Sequence, residues 1–171
     1  MPREGGCVAE WLTPLPCSGR LWCLRARPAD WLEALAPGLA SLPCSRFLQG
    51  GQALWMRLGP DEWWCWTGEG DEKAPADGLI SQVAGSQPHA WIEIGDAHQA
   101  FLLQAPVQDI LSQGCDLDVE CVPGDLATRT RCAGFTVVIC PQTDGWWLWV
   151  EASLGQSFEQ WLRRASAMSG A

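Results

Sequence analysis

Apolar residues along this chain come in short runs, and the spacing within each run decides what it predicts. Alternation with period two marks an extended strand; recurrence at three and four marks one face of a helix. The best-punctuated stretch is residues 99–130, QAFLLQAPVQDILSQGCDLDVECVPGDLATRT. Phe101, Leu102 and Leu103 predict a strand. Pro106 opens a helix, where a missing N–H costs nothing. Val107, Ile110 and Leu111 form the apolar face of that helix, and Gly114 is placed to close it with a left-handed residue. Asp116 and Asp118 suit a turn, Pro123-Gly124 marks another, and a strand follows over 126–132.

The same reading extends to the rest of the chain. Residues 20–27, RLWCLRAR, alternate as a strand. Asp30 and Glu33 form an expected capping box for a short helix carrying Trp31, Leu32, Leu35, Ala36 and Leu39, which weakens at Pro37-Gly38. Residues 42–52 have no period and read as irregular. Strands over 53–58 and 62–67 flank the turn Gly59-Pro60-Asp61 and predict a hairpin. Residues 68–75, GEGDEKAP, read as a solvated loop. A helix over 76–84 carries Leu79, Ile80 and Val83, and a strand over 89–95 places Ala90, Ile92 and Ile94 on one face. Strands over 100–103, 135–140 and 145–151 lead to a last helix over 154–167. That helix has Ser153 as N-cap with Gln156 three residues on, an apolar stripe from Leu154 through Phe158, Trp161 and Leu162 to Ala165, and Arg163 and Arg164 near its C-terminus.

The element order is βαββαβ followed by βαβββα, and the first of these is the ferredoxin-like split βαβ unit. The expected fold is α+β: two ferredoxin-like lobes with mixed or antiparallel sheets, packed as one compact unit. The expected boundaries are a loop-like N-terminal arm at 1–19, a first lobe at 20–97 and a second at 98–171. The order of elements repeats, with no repeat visible in the sequence itself.

Composition narrows the function. At 171 residues and 47% hydrophobic, the chain can bury a core without staples. Its net charge of −9 repels phosphate backbones and anionic membrane surfaces, so neither nucleic acid nor membrane is an expected partner. The first residues lack the apolar run of a secretory signal, and no stretch is long enough to span a bilayer, so the cytoplasm is the expected compartment, with reduced thiols. None of the nine cysteines is spaced as in a zinc finger or a redox motif, and Cys23, Cys65, Cys132 and Cys140 fall in strands as small buried hydrophobes.

The 12 tryptophans, with no tyrosine, change the picture most. Trp63, Trp64 and Trp66 fall on both faces of one predicted strand, and Trp146, Trp147 and Trp149 do the same on another. One face can be core; the other must meet a second layer, a ligand or a partner. These six are the candidate interface residues.

Catalytic templates find little to fit. His89 and His98 flank a strand–turn–strand across which they could approach, but a third metal ligand is missing. Cys115 is the best candidate nucleophile; its expected place after a helix end beside Asp116 raises a thiol pKa, which makes it a packing residue. Asp116 and Asp118 could form a general-base pair or a calcium edge, but turn chemistry accounts for them, as it does for Asp96, Asp125 and Asp144. GEGDEK lacks the spacing of a phosphate loop, and no dinucleotide fingerprint is present. No catalytic, cofactor-binding or metal residue is assigned to this chain.

With those residues in view, the sequence resembles the gamma subunit family of heterotetrameric sarcosine oxidase. The resemblance rests on Arg57-Leu58-Gly59-Pro60-Asp61-Glu62-Trp63, on His89-Ala90 entering a strand, on LLQAPVQDILSQGCDLD with Pro123-Gly124 and Ala127-Thr128, and on WLWVEAS leading into FEQWLRRA. It covers roughly residues 52–168. That family looks like a shortened relative of the folate-binding aminomethyltransferase of the glycine cleavage system. The resemblance implies an accessory, non-catalytic subunit of an oxidoreductase complex that oxidatively demethylates sarcosine or a related N-methyl amine. It implies alpha, beta and delta partner subunits, alpha chiefly, with FAD, FMN, NAD and tetrahydrofolate in the large subunits and zinc in the small one. The chain departs from the pattern at Ala105-Pro106, where the family has Gly-Pro, and in CAGFTVVICPQTDG, a short region offering only Asp144 where relatives carry an aspartate-bearing folate loop. A stand-alone folate- or aminomethyl-handling protein of the same superfold, and a module cradling methylated ammonium on tryptophan faces by cation–π attraction, are the alternatives.

Overall fold

A computed structural model describes residues 11–14, 19–50, 53–68, 77–104 and 106–169. Ten strands form two five-stranded antiparallel sheets. The strands are β1 (Leu12–Pro14), β2 (Arg20–Ala26), β3 (Arg46–Gly50), β4 (Ala53–Gly59), β5 (Glu62–Thr67), β6 (His89–Glu93), β7 (His98–Leu103), β8 (Thr128–Cys132), β9 (Phe135–Gln142) and β10 (Gly145–Glu151). Three α-helices, α1 (Asp77–Ala84), α2 (Val107–Leu111) and α3 (Gly155–Met168), join 3-10 turns at Asp30–Ala34, Gly95–Ala97 and Ala152–Leu154. The α+β expectation holds, with both sheets wholly antiparallel.

One sheet runs β3-β4-β5-β2-β6 and the other β8-β9-β10-β7-β1. Set against each other, the hairpin β4–β5 matches β9–β10, β2 matches β7, and β1 takes the place in its sheet that β6 takes in the other. The matching strands β5 and β10 read EWWCWT and GWWLWVE, so the same tryptophan spacing recurs at the same place in both sheets. The N-terminal arm, expected to be loop, thus contributes an edge strand, with Leu12 opposite Leu103.

Period-two alternation sorts the core into three layers. Between the sheets lie Leu21, Cys23, Leu54, Met56, Trp64 and Trp66 from one and Val138, Cys140 and Trp149 from the other. The outer face of the first sheet is covered by the 3-10 turn and α1, over Leu24, Trp55, Trp63 and Cys65. The outer face of the second is covered by α2 and α3, whose Ile110, Phe158 and Leu162 meet Phe101, Ile139 and Leu148.

Several local expectations are corrected. Residues 46–50 are not irregular but form β3, an edge strand with Phe47 packing between the sheets and Leu48 on the outer layer. Asp30 and Glu33 make no capping box: the N-cap position is Ala29, without a side-chain bond. The Glu33 carboxylate instead accepts the N–H groups of Gly38 at 2.6 Å and Ala40 at 2.9 Å, closing the turn that Pro37 forces. Ser153 likewise does not cap α3; its hydroxyl donates to Glu151 at 2.6 Å, and a 3-10 turn precedes the helix. Arg163 pairs with Glu159 one turn back at 2.8 Å. Most of the segment expected as a charged loop at 68–75 lies outside the described residues.

Gly114 is not the left-handed stop that its position suggests. A Cβ there would sit 2.9 Å from the Trp161 ring and 3.1 Å from the Ala133 nitrogen, so the position demands glycine for close approach of α3 and the β8–β9 turn. Gly114→Ala is expected to cost about 1–3 kcal/mol through overpacking, read as a fall in the denaturation midpoint with an unchanged slope.

Candidate functional site

The polar centre of the molecule grows from the turn Gly59-Pro60-Asp61. β5 begins at Glu62, and its alternation points Glu62, Trp64 and Trp66 toward the other sheet. Burying a carboxylate requires donors, and three residues supply them. Arg129 of β8 donates at 2.8 Å to Oε1, Arg25 of β2 lies 3.0 Å from Oε2, and the Trp64 indole donates to Oε1 at 2.9 Å. The Arg129 guanidinium also lies over the Trp64 ring, 5.6 Å from its centroid. Burial pushes the Glu62 carboxyl up, but the Arg129 bond and charge, the Arg25 charge and the indole outweigh it, and the group stays below its ordinary value. An ionised carboxylate with both oxygens engaged does not serve as a general base. It clamps one sheet to the other.

Arg57, four residues before Asp61, plays the complementary part. Its guanidinium lies 5.0 Å over the Trp63 ring and donates to the carbonyls of Leu42 at 2.6 Å, Pro60 at 3.0 Å and Gly59 at 3.3 Å. The stretch from Arg57 to Trp63 is therefore a tight turn tied by one arginine and one glutamate.

The six candidate tryptophans divide between layers. Trp63 lies in the outer layer of the first sheet and Trp146 in that of the second. Trp64, Trp66 and Trp149 are buried between the sheets, and Trp147 packs there while keeping partial exposure. The second layer that their alternation requires is supplied by the other sheet of the same chain. Trp66, Trp147 and Trp149 meet edge to face, with centroids 5.9–6.2 Å apart. At that spacing the rings pack against one another.

The remaining candidates are not brought together. His89 is on β6 in one sheet and His98 on β7 in the other, so they do not approach across a hairpin: the 3-10 corner Gly95–Ala97 moves the chain between sheets. His98 sits edge-on to Trp64 at 4.7 Å with Nδ1 against the Ile94 carbonyl, and His89 is beside the Gln87 carbonyl. Among the described residues no three His, Cys, Asp or Glu side chains converge on a metal position. Asp118 accepts the Glu120 N–H within its own turn, and Asp125 pairs with Arg46 at 3.2 Å.

Cys115 departs from its expected chemistry. Cys132 stands directly opposite it across an antiparallel bridge. The neighbouring Cys132 thiol above all, with the Leu117 N–H and the Thr130 hydroxyl, outweighs burial and the Asp116 charge and holds Cys115 below the usual thiol range. Sequence reasoning weighed only Asp116 and the helix end.

No protein-family model matches the sequence, and no curated protein sequence matches it. Among solved structures, heterotetrameric sarcosine oxidase from Corynebacterium sp. U-96, in complex with pyrrole 2-carboxylate, matches with a TM-score of 0.78 at 20% identity, covering 94% of this chain and 85% of that one. The glycine cleavage system aminomethyltransferase T from Bartonella henselae matches with a TM-score of 0.67 at 14% identity, covering 88% of this chain and 44% of that one. The chain therefore has the fold shared by these two proteins and spans less than half the length of the second. Among the described residues no helix is long and apolar enough to cross a membrane.

Proposed function

We propose that this chain is an accessory, non-catalytic subunit, of gamma type, in a heterotetrameric oxidase that demethylates sarcosine or a related N-methyl amine. The observation that carries the proposal is the match in both directions to one chain of a heterotetrameric sarcosine oxidase, 94% of this chain and 85% of that one. The ordered sequence resemblance over residues 52–168 supports it independently. So does the chemistry of the best-built polar group, since Glu62 is consumed by Arg25, Arg129 and Trp64 and reads as scaffold. In this reading the partners are an alpha subunit chiefly, with beta and delta subunits. FAD, FMN, NAD, tetrahydrofolate and zinc reside in those partners, in the cytoplasm.

Co-expression with flavoprotein alpha and beta subunits and a zinc-binding delta subunit, followed by size-exclusion chromatography, tests this. The expected result is co-elution in one stoichiometric complex; a chain that elutes alone as a monomer overturns the proposal. Calorimetry with tetrahydrofolate on the isolated chain separates it from a stand-alone folate-binding role, for which micromolar binding is the signature.

A further inference from the structure

A scaffold role leaves one pair of side chains unabsorbed: the free thiols Cys115 and Cys132, which face each other across a bridge. Cys115 follows α2 and lies in an isolated antiparallel bridge with Cys132, the last residue of β8. The bridge is flanked by Asp116 N–H donating to the Arg131 carbonyl at 3.0 Å and Ala133 N–H donating to the Gly114 carbonyl at 2.7 Å. Those bonds run between the neighbours of the pair, so Cys115 and Cys132 occupy a non-hydrogen-bonded site. At such sites Cα atoms stand about 4.5 Å apart and side chains are at their closest. That separation falls within the ~4.4–6.8 Å range that disulfides span. Both are free thiols.

Access differs between the partners. Cys132 is buried and Cys115 half-buried. A small oxidant reaches Cys115, and the thiol that resolves the product is already in place. Among the described residues the exposed cysteines are Cys44 and Cys121, and Cys121 is held up by the hydrogen bond and charge of Asp118.

We propose that Cys115 and Cys132 form a two-electron oxidation site, at which hydrogen peroxide converts the dithiol to a cross-strand disulfide. The Cys115 thiolate attacks the peroxide oxygen; an S–O bond forms, the O–O bond breaks, and the leaving hydroxide takes a proton to become water. The Cys132 sulfur then attacks the sulfenic sulfur of Cys115. The S–S bond forms, the S–O bond breaks, and the second water leaves with the Cys132 proton. Two electrons pass from the thiols, and one hydrogen peroxide is reduced to two waters. The product staples the turn after α2 to β8, which packs under α3 through Gly114 and Trp161.

The test treats the full-length chain with hydrogen peroxide in small excess, followed by alkylation and peptide mapping. The expected result is a peptide linking Cys115 to Cys132 that forms about tenfold faster than Cys44 or Cys121 is oxidised. Absence of that peptide, or its formation no faster than oxidation of the exposed thiols, overturns the proposal whatever the variants show. Cys132→Ser, checked for folding by circular dichroism, is expected to halt at a sulfenic acid on residue 115 that dimedone traps. A folded Cys132→Ser chain without adduct overturns the assignment of Cys115 as the attacking thiol. Cys115→Ser is expected to give neither product.

Discussion

Glu62→Ala is expected to lower stability by about 3 kcal/mol, because it removes the carboxylate that Arg129, Arg25 and the Trp64 indole share. The arginines are partly exposed and recover some hydration, which keeps the loss at the lower end for a buried ionic cluster. The indole N–H is buried and recovers little. A chain of this length loses roughly 2–4 °C in melting temperature per kcal/mol, so a drop of about 6–12 °C is expected. The pH dependence gives a sharper check. The folded carboxyl sits below its ordinary value, so the stabilisation is present above the ordinary carboxylate pKa and disappears as pH falls through the depressed one. The gap between wild type and Glu62→Gln should therefore be widest at neutral pH and narrow on acidification. A constant gap from pH 7 to 3 would show that the charge contributes nothing.

Trp149→Ala is expected to cost more, about 3–5 kcal/mol, since it empties the fully buried tryptophan that β10 contributes to the layer between the sheets. Trp149 is 1% exposed, and its indole N–H has no hydrogen-bond partner among the described residues. That unpaired donor already costs stability, so Trp149→Phe loses volume and at the same time relieves a penalty. Its expected cost is roughly 1–2 kcal/mol. Urea denaturation of the two variants tests both: a phenylalanine variant as damaged as the alanine one would show that the N–H is satisfied.

How much of this was legible in the sequence depended on the distance over which each feature is encoded. The β4–β5 hairpin was legible because Gly59-Pro60-Asp61 announces its turn and both strands are buried. β3 was not, since Arg46 and Gln49 interrupt it, and an edge strand needs no continuous apolar face. Ser153 and Asp30 carry good capping chemistry locally, and tertiary packing replaced each cap with a 3-10 turn. His89 and His98 misled because neighbouring strands usually pair, whereas here a three-residue corner sends them to different sheets. The Glu62 clamp was hidden for another reason: Arg129 is 67 residues away. A single carboxylate leading a tryptophan-rich buried strand was the available signal. Cys115 has Asp116 and a helix end as its neighbours in sequence, and Cys132 becomes a neighbour only through the bridge.

The placement of β1 has a consequence for how the chain comes into being. A ribosome releases Leu12 long before Leu103, so the first strand made has no partner until β7 emerges. During that interval the sheet built from β2 to β6 can close on contacts of its own, while the early segment waits as an unpaired edge. Docking it on β7 closes a loop spanning more than half the chain, an entropic cost that the second sheet must meet. Any association that relies on that finished sheet is correspondingly reserved for a chain whose synthesis is nearly complete.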